Sequence, residues 1–230
     1  MKAVILAAGR GTRMKELTKD SPKPVLEVNG YPFLGHIIDS LIKAGATDIG
    51  VVVGYQKKKV IDFLNKNYPK AIPLFQEEIT GTATAVNTAK GFVSGENFLL
   101  VNGDDLHAVE DYKKFLVDDD YNYIGGFKSE SPERYGQLVN HDGFLSYIAE
   151  KHVPAKTNIV NAGIYKFTPG IFDAITKIDV SPRGEFEITD AISLLAFKGL
   201  VKVAPIEKYW VGITNPEDIE KAGKFLNEQK

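Results

Sequence analysis

The chain has 230 residues, 43% of them hydrophobic and 25% charged, so it is long enough to bury a substantial core. Its formal charge of −2 gives it no basic field for nucleic acid or a membrane surface. The lack of cysteine excludes disulfides, thiolate metal sites and a cysteine nucleophile, leaving chemistry to carboxylates, amines, hydroxyls and backbone.

The first apolar stretch, residues 3–8, stops at Gly9, far short of a signal-peptide core or a membrane span. Without repeats or low-complexity segments, the expectation is one cytoplasmic domain over residues 1–230 that binds neither nucleic acid nor membrane. Homo-oligomerisation is left open.

Residues 3–6, 49–53 and 98–101 are nearly continuous apolar runs, the pattern of strands buried on both faces of a parallel sheet. Between the first two, Phe33, Ile37, Ile38, Leu41 and Ile42 recur at helical spacing, with Gly45 at the stop. Val60, Ile61 and Leu64 predict a second helix, ended before Pro69. This alternation, continuing to about residue 117, predicts βαβ units and an α/β, doubly wound, mostly parallel (mixed) sheet with helices on both faces.

The middle of the chain is patterned differently. Residues 123–127, 137–139, 144–148 and 158–167 read as strands, with His141-Asp142-Gly143 as a hairpin turn, forming a β-rich insertion or an extension of the first sheet. Helices return at 169–175, 187–197 and 216–226, the last with Asn215 as its cap and Pro216 at its first position.

Directly after the first strand comes Leu6-Ala7-Ala8-Gly9-Arg10-Gly11-Thr12-Arg13-Met14. Small residues there let backbone N–H groups approach a phosphate, at the strand end where open α/β sheets hold their ligands; the other reading is a glycine-rich turn that only turns the chain. Arg13 and Met14 stand where a dinucleotide fingerprint needs its third glycine, and the Gly-Lys-Ser/Thr ending of a P-loop is missing. Further on, Ser21-Pro22-Lys23-Pro24 holds a lysine between two prolines that stiffen the backbone around it. Arg13 as a fork and Lys23 as a point charge suit the oxygens of a triphosphate.

The segment from Leu6 to Arg13, followed by Pro22-Lys23-Pro24, resembles the signature of the sugar-1-phosphate nucleotidylyltransferases, a family that includes glucose-1-phosphate thymidylyl- and uridylyltransferases. The resemblance implies a Rossmann-like fold, a nucleotide-binding part over about residues 1–117 and a sugar-binding part over about 118–215. It implies Mg2+ as cofactor, a nucleoside triphosphate and a sugar 1-phosphate as partners, and release of pyrophosphate. Carried over residue by residue, Arg13, Lys23 and Lys151 are the catalytic cations, Lys151 holding the sugar phosphate. Ala8, Gly9, Gly11, Thr12, Gln76, Gly81, Thr82 and Gly103 bind the nucleotide. Tyr135, Gly136, Glu150 and Asn161 bind the sugar, and the segment from Gly184 to Asp190 is similar to an element that opens a helix beside it.

In Asn102-Gly103-Asp104-Asp105 the resemblance makes Asp104 the metal ligand. An aspartate pair at the end of a buried strand suits a hard cation that also takes waters and phosphates, although Gly-Asp-Asp also reads as a solvated turn. The family's Trp-x-Asp, the second metal ligand, reads Trp210-Val211-Gly212 here, which leaves Asp104 alone or with help from Asp105 or Asp190. A glutamine amide beside a backbone group favours the edge of uracil or thymine, hence UTP or dTTP. The histidines, His36, His107, His141 and His152, lack metal-ligand spacing and read as helix-face, loop or surface residues. Gly212 also admits a rival, a homologue that senses nucleotide sugars without making them.

Overall fold

The protein is described from a computed structural model over residues 1–9, 11, 14, 18, 21–149, 151 and 153–228. In chain order, β1 (Lys2–Ala7) is followed by the short strands β2 (Glu27–Val28) and β3 (Tyr31–Pro32), which pair only with each other. Next come α1 (Phe33–Ala44), β4 (Ile49–Val53), α2 (Lys57–Asn67), β5 (Ile72–Phe75), α3 (Thr82–Thr88), α4 (Lys90–Val93) and β6 (Phe98–Asn102). The remainder is β7 (Asp105–His107), α5 (Val109–Lys113), β8 (Asn122–Lys128), β9 (Gln137–His141), β10 (Phe144–Ala149), β11 (Ile159–Phe167), α6 (Gly170–Ile175), α7 (Ile188–Phe197), β12 (Val201–Pro205), β13 (Trp210–Gly212) and α8 (Glu217–Glu228).

The apolar runs form strands as expected, because side chains of β1 alternate between two cores. Ala3 and Ile5 join Phe33, Ile37 and Leu41 of α1 on one face, while Val4 joins Val86 of α3, Ile171 of α6 and Ile192 of α7 on the other. Helices therefore cover both faces. α1 buries its predicted apolar stripe and stops at Gly45 with φ 105°, although Ile42 turns to solvent at 53% exposure.

Nine strands make one sheet in the order β5-β4-β1-β6-β11-β8-β12-β10-β9. The sheet is mixed, as expected, although parallel pairs do not outnumber antiparallel ones: β1 runs parallel to β4 and β6, but β11 lies antiparallel between β6 and β8. The cause is the route into β11, which comes from the β9–β10 hairpin and not through a crossover helix. That hairpin turns at Asp142 and Gly143, both with positive φ, as the sequence predicts. The middle strands extend the first sheet. Its outer end curls, since β9 also touches β11 at Gln137 and Val160 while β10 meets β12 at Phe144 and Lys202.

Two details differ from the sequence reading. Helix α8 begins at Glu217, and Asn215 does not cap it; Asp218 Oδ2 reaches back instead to accept from the N–H groups of Thr214 at 2.8 Å and Asn215 at 3.0 Å. A carboxylate there faces the positive end of the helix dipole. His107 is not a surface residue but fully buried, edge-on to Tyr112 with ring centroids 5.5 Å apart. The neighbouring Asp111, also buried, accepts from Lys114 Nζ and from the N–H groups of Glu207 and Lys208, pinning the approach to β13.

Burial pushes His107 from 6.5 down to about 3. The unfolded chain then takes a proton that the folded chain refuses, so this group's contribution to stability is present above pH 6.5 and lost as pH falls toward 3. In urea titrations at about pH 7 and pH 5, His107→Phe should gain on the wild type by about 2 kcal/mol on acidification. A stability difference that stays constant with pH would contradict a neutral His107.

Candidate active site

Strands β1 and β6 lie side by side while the chain leaves them in opposite directions across the sheet, so a crevice opens at their carboxyl ends. Gly103 N donates to Leu6 O at 2.8 Å, extending the ladder past β6, and a Cβ on Gly103 would overlap that carbonyl. Here a cavity of about 290 Å³ is lined by Leu6, Ala7, Gly9, Gly11, Met14, Lys23, Pro24, Thr82, Gly103, Asp104 and Thr214. A larger one, about 720 Å³, shares Asp104 and Thr214 with it.

The smaller cavity gathers Gly9, Gly11, Thr82 and Gly103 of the expected nucleotide residues, together with Lys23. Gly11 has φ 62°, and a Cβ on it would crowd the Lys23 stem at 3.2 Å. Its carbonyl accepts from Met14 N at 2.9 Å and Thr18 Oγ1 at 3.1 Å, which fixes the turn after β1. Lys23 opens a single 3₁₀ turn, Lys23–Val25, behind Pro22 in extended conformation, and its side chain is only 11% exposed. Its ammonium rests directly on Asp104 Oδ2. Ala8 is buried beneath the loop and receives Tyr55 N on its carbonyl, without lining either cavity. Thr12 and Arg13 lie outside the described residues.

Gln76 and Gly81 line neither cavity; they build the loop that presents Thr82. Gln76 Nε2 donates to Glu78 O at 3.1 Å and Thr84 Oγ1 at 3.0 Å. Gly81 has φ 138°, and any Cβ there would overlap the Phe186 backbone. The two segments are laced together by Phe186 N to Thr80 O, Ala83 N to Phe186 O and Ile188 N to Thr82 Oγ1, each 2.9 Å. The element from Gly184 to Asp190 thus lines neither cavity and buttresses the loop that presents Thr82. Asp190 stands in the first turn of α7.

The larger cavity takes in Tyr135, Gly136, Lys151 and Asn161 as expected, whereas Glu150 lies outside the described residues. Asn161 has internal work: its Nδ2 donates to Tyr165 Oη at 2.9 Å and its Oδ1 accepts from Gly163 N at 3.0 Å. These bonds stabilise a register shift in β11 between Asn161 and Tyr165. Sequence reasoning missed Phe127, Ser129, Arg134, Trp210, Thr214 and Lys221 in the lining. Trp210 carried a usable signal, being the sole tryptophan, in a polar stretch.

Asp104 and Asp105 differ sharply. Asp104 keeps its side chain 34% exposed at the junction of the cavities. Asp105 is buried, and that burial together with the neighbouring Asp104 carboxylate pushes it up to about 7. β13 pairs antiparallel with β7 so that Gly212 faces Asp105, and a Cβ on Gly212 would stand 2.9 Å from Asp105 Oδ1. Among the described residues no three acidic or histidine side chains converge as a metal cage. The donor set, one accessible carboxylate oxygen bearing the Lys23 ammonium and a second carboxyl beside it, fits a hard cation that completes its shell with phosphates and water.

Comparison with known proteins agrees with this geometry. Residues 2–229 match the family described as Nucleotidyl transferase. The chain is 41% identical over 228 residues to the bifunctional protein GlmU of Methanocaldococcus jannaschii, covering 98% of this chain but 54% of that one, so it spans about half the length of such curated relatives. It is 35% identical over 240 residues to the UTP--glucose-1-phosphate uridylyltransferase AglF of Haloferax volcanii, covering 100% of this chain and 98% of that protein. In fold it is similar to a crystal structure of UDP-glucose pyrophosphorylase complexed with UDP-glucose, with a TM-score of 0.84 and 20% identity over 100% of this chain and 99% of the other. With a match running almost end to end and a relative of equal extent, the chain belongs to the nucleotidyl transferase family.

Proposed function

We propose that this protein transfers a nucleotidyl group from a nucleoside triphosphate to a sugar 1-phosphate, giving a nucleoside diphosphate sugar and pyrophosphate. The observation that carries the reading is the Lys23–Asp104 contact at the junction of two cavities, one floored by the glycine turn after β1 and one walled by Tyr135, Asn161 and Trp210. The triphosphate would occupy the smaller cavity, and the sugar phosphate the larger, on Lys151. Their shared edge is where the α-phosphate and the attacking phosphate oxygen would meet.

A phosphate monoester is already anionic near neutral pH, so the reaction needs no general base and rests on positioning and charge neutralisation. Lys23 would hold the α-phosphate, the Gly9 and Gly11 backbone and Arg13 the leaving pyrophosphate. Asp104 would hold magnesium, which when bound supplies further neutralisation of the polyphosphate. UTP or dTTP suits the base loop: with Gln76 Nε2 engaged inside it, Oε1 is the atom left to accept the imide N–H of uracil or thymine.

A matrix of nucleoside triphosphates against sugar 1-phosphates with magnesium should release pyrophosphate with UTP or dTTP and a hexose 1-phosphate. Binding of nucleotide sugars with no pyrophosphate from any pair would instead establish the sensor reading. In the productive pair, Lys23→Met should lower kcat/KM by about 100-fold or more, as for loss of one charge-stabilising donor. Its melting curve checks that the fold survives, and a drop below about tenfold would remove Lys23 from the reaction.

Position 212 gives a second prediction. Gly212→Asp alone would press a carboxylate against Asp105, whereas Gly212→Asp with Asp105→Asn relieves that repulsion and leaves a carboxylate facing the junction. The double variant should reach half-maximal rate at a lower magnesium concentration than the wild type. Unchanged magnesium dependence would show that residue 212 does not face the ion.

A further inference from the structure

Asp105 borders the larger cavity yet is only 7% exposed, because its neighbours pack closely around it. Its Oδ1 accepts from Trp210 Nε1 at 2.6 Å and its Oδ2 from Asn102 Nδ2 at 3.0 Å, so both oxygens are engaged. Two glycines close over it from other elements. A Cβ on Gly163, which has φ 72°, would overlap Oδ2, and one on Gly212 would stand 2.9 Å from Oδ1. Space this tight leaves the carboxyl little room to swing toward a ligand.

The bond reaches the larger cavity through Trp210. The indole packs edge-on against Tyr135, with ring centroids 5.1 Å apart, and against Phe127 at 5.7 Å, and all three rings line that cavity. The strand carrying Trp210 is three residues long and, among the described residues, pairs only with β7. A single backbone ladder of that length does not fix a side chain's rotation, so the buried bond to Asp105 is what holds the ring.

We infer that Asp105 is a positioning residue for the sugar half of the site: its carboxyl anchors the Trp210 indole between Tyr135 and Phe127, and that aromatic wall sets the affinity for the sugar ring. This rests on the proposed placement of the sugar phosphate in the larger cavity. It differs from a role as second metal ligand in what it demands of Asp105, an acceptor for the indole N–H and not a negative charge. An aromatic face offers the C–H side of a pyranose a flat apolar surface, and its orientation decides whether the ring's hydroxyls reach their partners.

The test compares Asp105→Ala, Asp105→Asn and Trp210→Phe with the wild type, measuring KM for each substrate, magnesium half-saturation and the emission of the sole tryptophan. Asp105→Ala should raise KM for the sugar 1-phosphate about tenfold, on the scale of one hydrogen bond to a charged group, with KM for the triphosphate changed less than about twofold. Its emission should shift to the red as the indole loosens. Asp105→Asn, whose side-chain carbonyl still accepts the indole N–H, should stay close to wild type in all readouts. Trp210→Phe, which keeps a ring but loses the donor, should raise the sugar KM without Asp105 being touched, and serves where Asp105→Ala does not fold. The inference is overturned if Asp105→Asn is as impaired as Asp105→Ala with raised magnesium half-saturation, if both KM values rise together, or if the sugar KM does not move. A wild type that forms no pyrophosphate overturns the placement of the sugar, and the inference with it.

Discussion

Everything in the site depends on a lysine ammonium and an aspartate carboxylate, 81 residues apart in the chain, meeting at the open end of the sheet. Neither is placed by its own local sequence alone. Asp104 follows β6, which lies against β1 in parallel register from Lys2 with Phe98 to Leu6 with Asn102. Lys23 reaches the same point because the turn after β1 folds back under it, with Gly11 in a left-handed conformation and Pro22 and Pro24 restricting the backbone on either side. Opposite charges in a crevice shielded by the sheet attract more strongly than in water. The contact marks where a polyphosphate would have to insert, since its oxygens offer Lys23 the partner that Asp104 offers now.

The second aspartate shows how adjacent residues acquire different work. The turn between β6 and β7 leaves Asp104 partly exposed at the cavity junction, while Asp105, the first residue of β7, is buried under the β11 shift and against β13. Burial raises the cost of charge on Asp105, and its two hydrogen bonds and the nearby Lys23 offset part of that cost. A residue in that position serves geometry better than it serves a diffusing ion. Asp104 is the more accessible of the two and already lies beside a cation.

Much of this was legible in the sequence, and the limits have physical causes. Apolar runs buried on both faces announce β1, β4 and β6, and the stripe of α1 with its glycine stop is equally plain, because burial and backbone conformation write directly into residue type. Lys23, Gly9, Gly11, Thr82 and Gly103 line one cavity, and Tyr135, Gly136, Lys151 and Asn161 share another. The strands β7 and β13 were not foreseen. Three residues are too few for an alternation to show, and their pairing depends on contacts over 100 residues away. The internal bonds of Asn161 and Gln76 were equally invisible, since the residue that reads a ligand and the residue that shapes a loop have the same side chain.

The hydrogen bonds between residues 80–83 and 186–188 tie a motif from the second half of the chain to the loop that presents Thr82. Gly81 lies so close to Phe186 that only a hydrogen fits at its α-carbon, and the Thr82 hydroxyl accepts the first free N–H of α7. Helix α7 in turn packs its buried face, Ile188, Ala191, Ile192 and Leu195, into the core shared with Val4 and Phe98 of the central strands. A residue on the nucleotide cavity is therefore held by a helix rooted on the sheet's opposite face from α1. Changes at Glu187 or Ile188 would be felt first by Thr82, across the helix terminus, and only through it by a bound triphosphate. The site is built from the sheet outward, with Gly81 and Gly103 each against backbone that leaves no room for a larger residue.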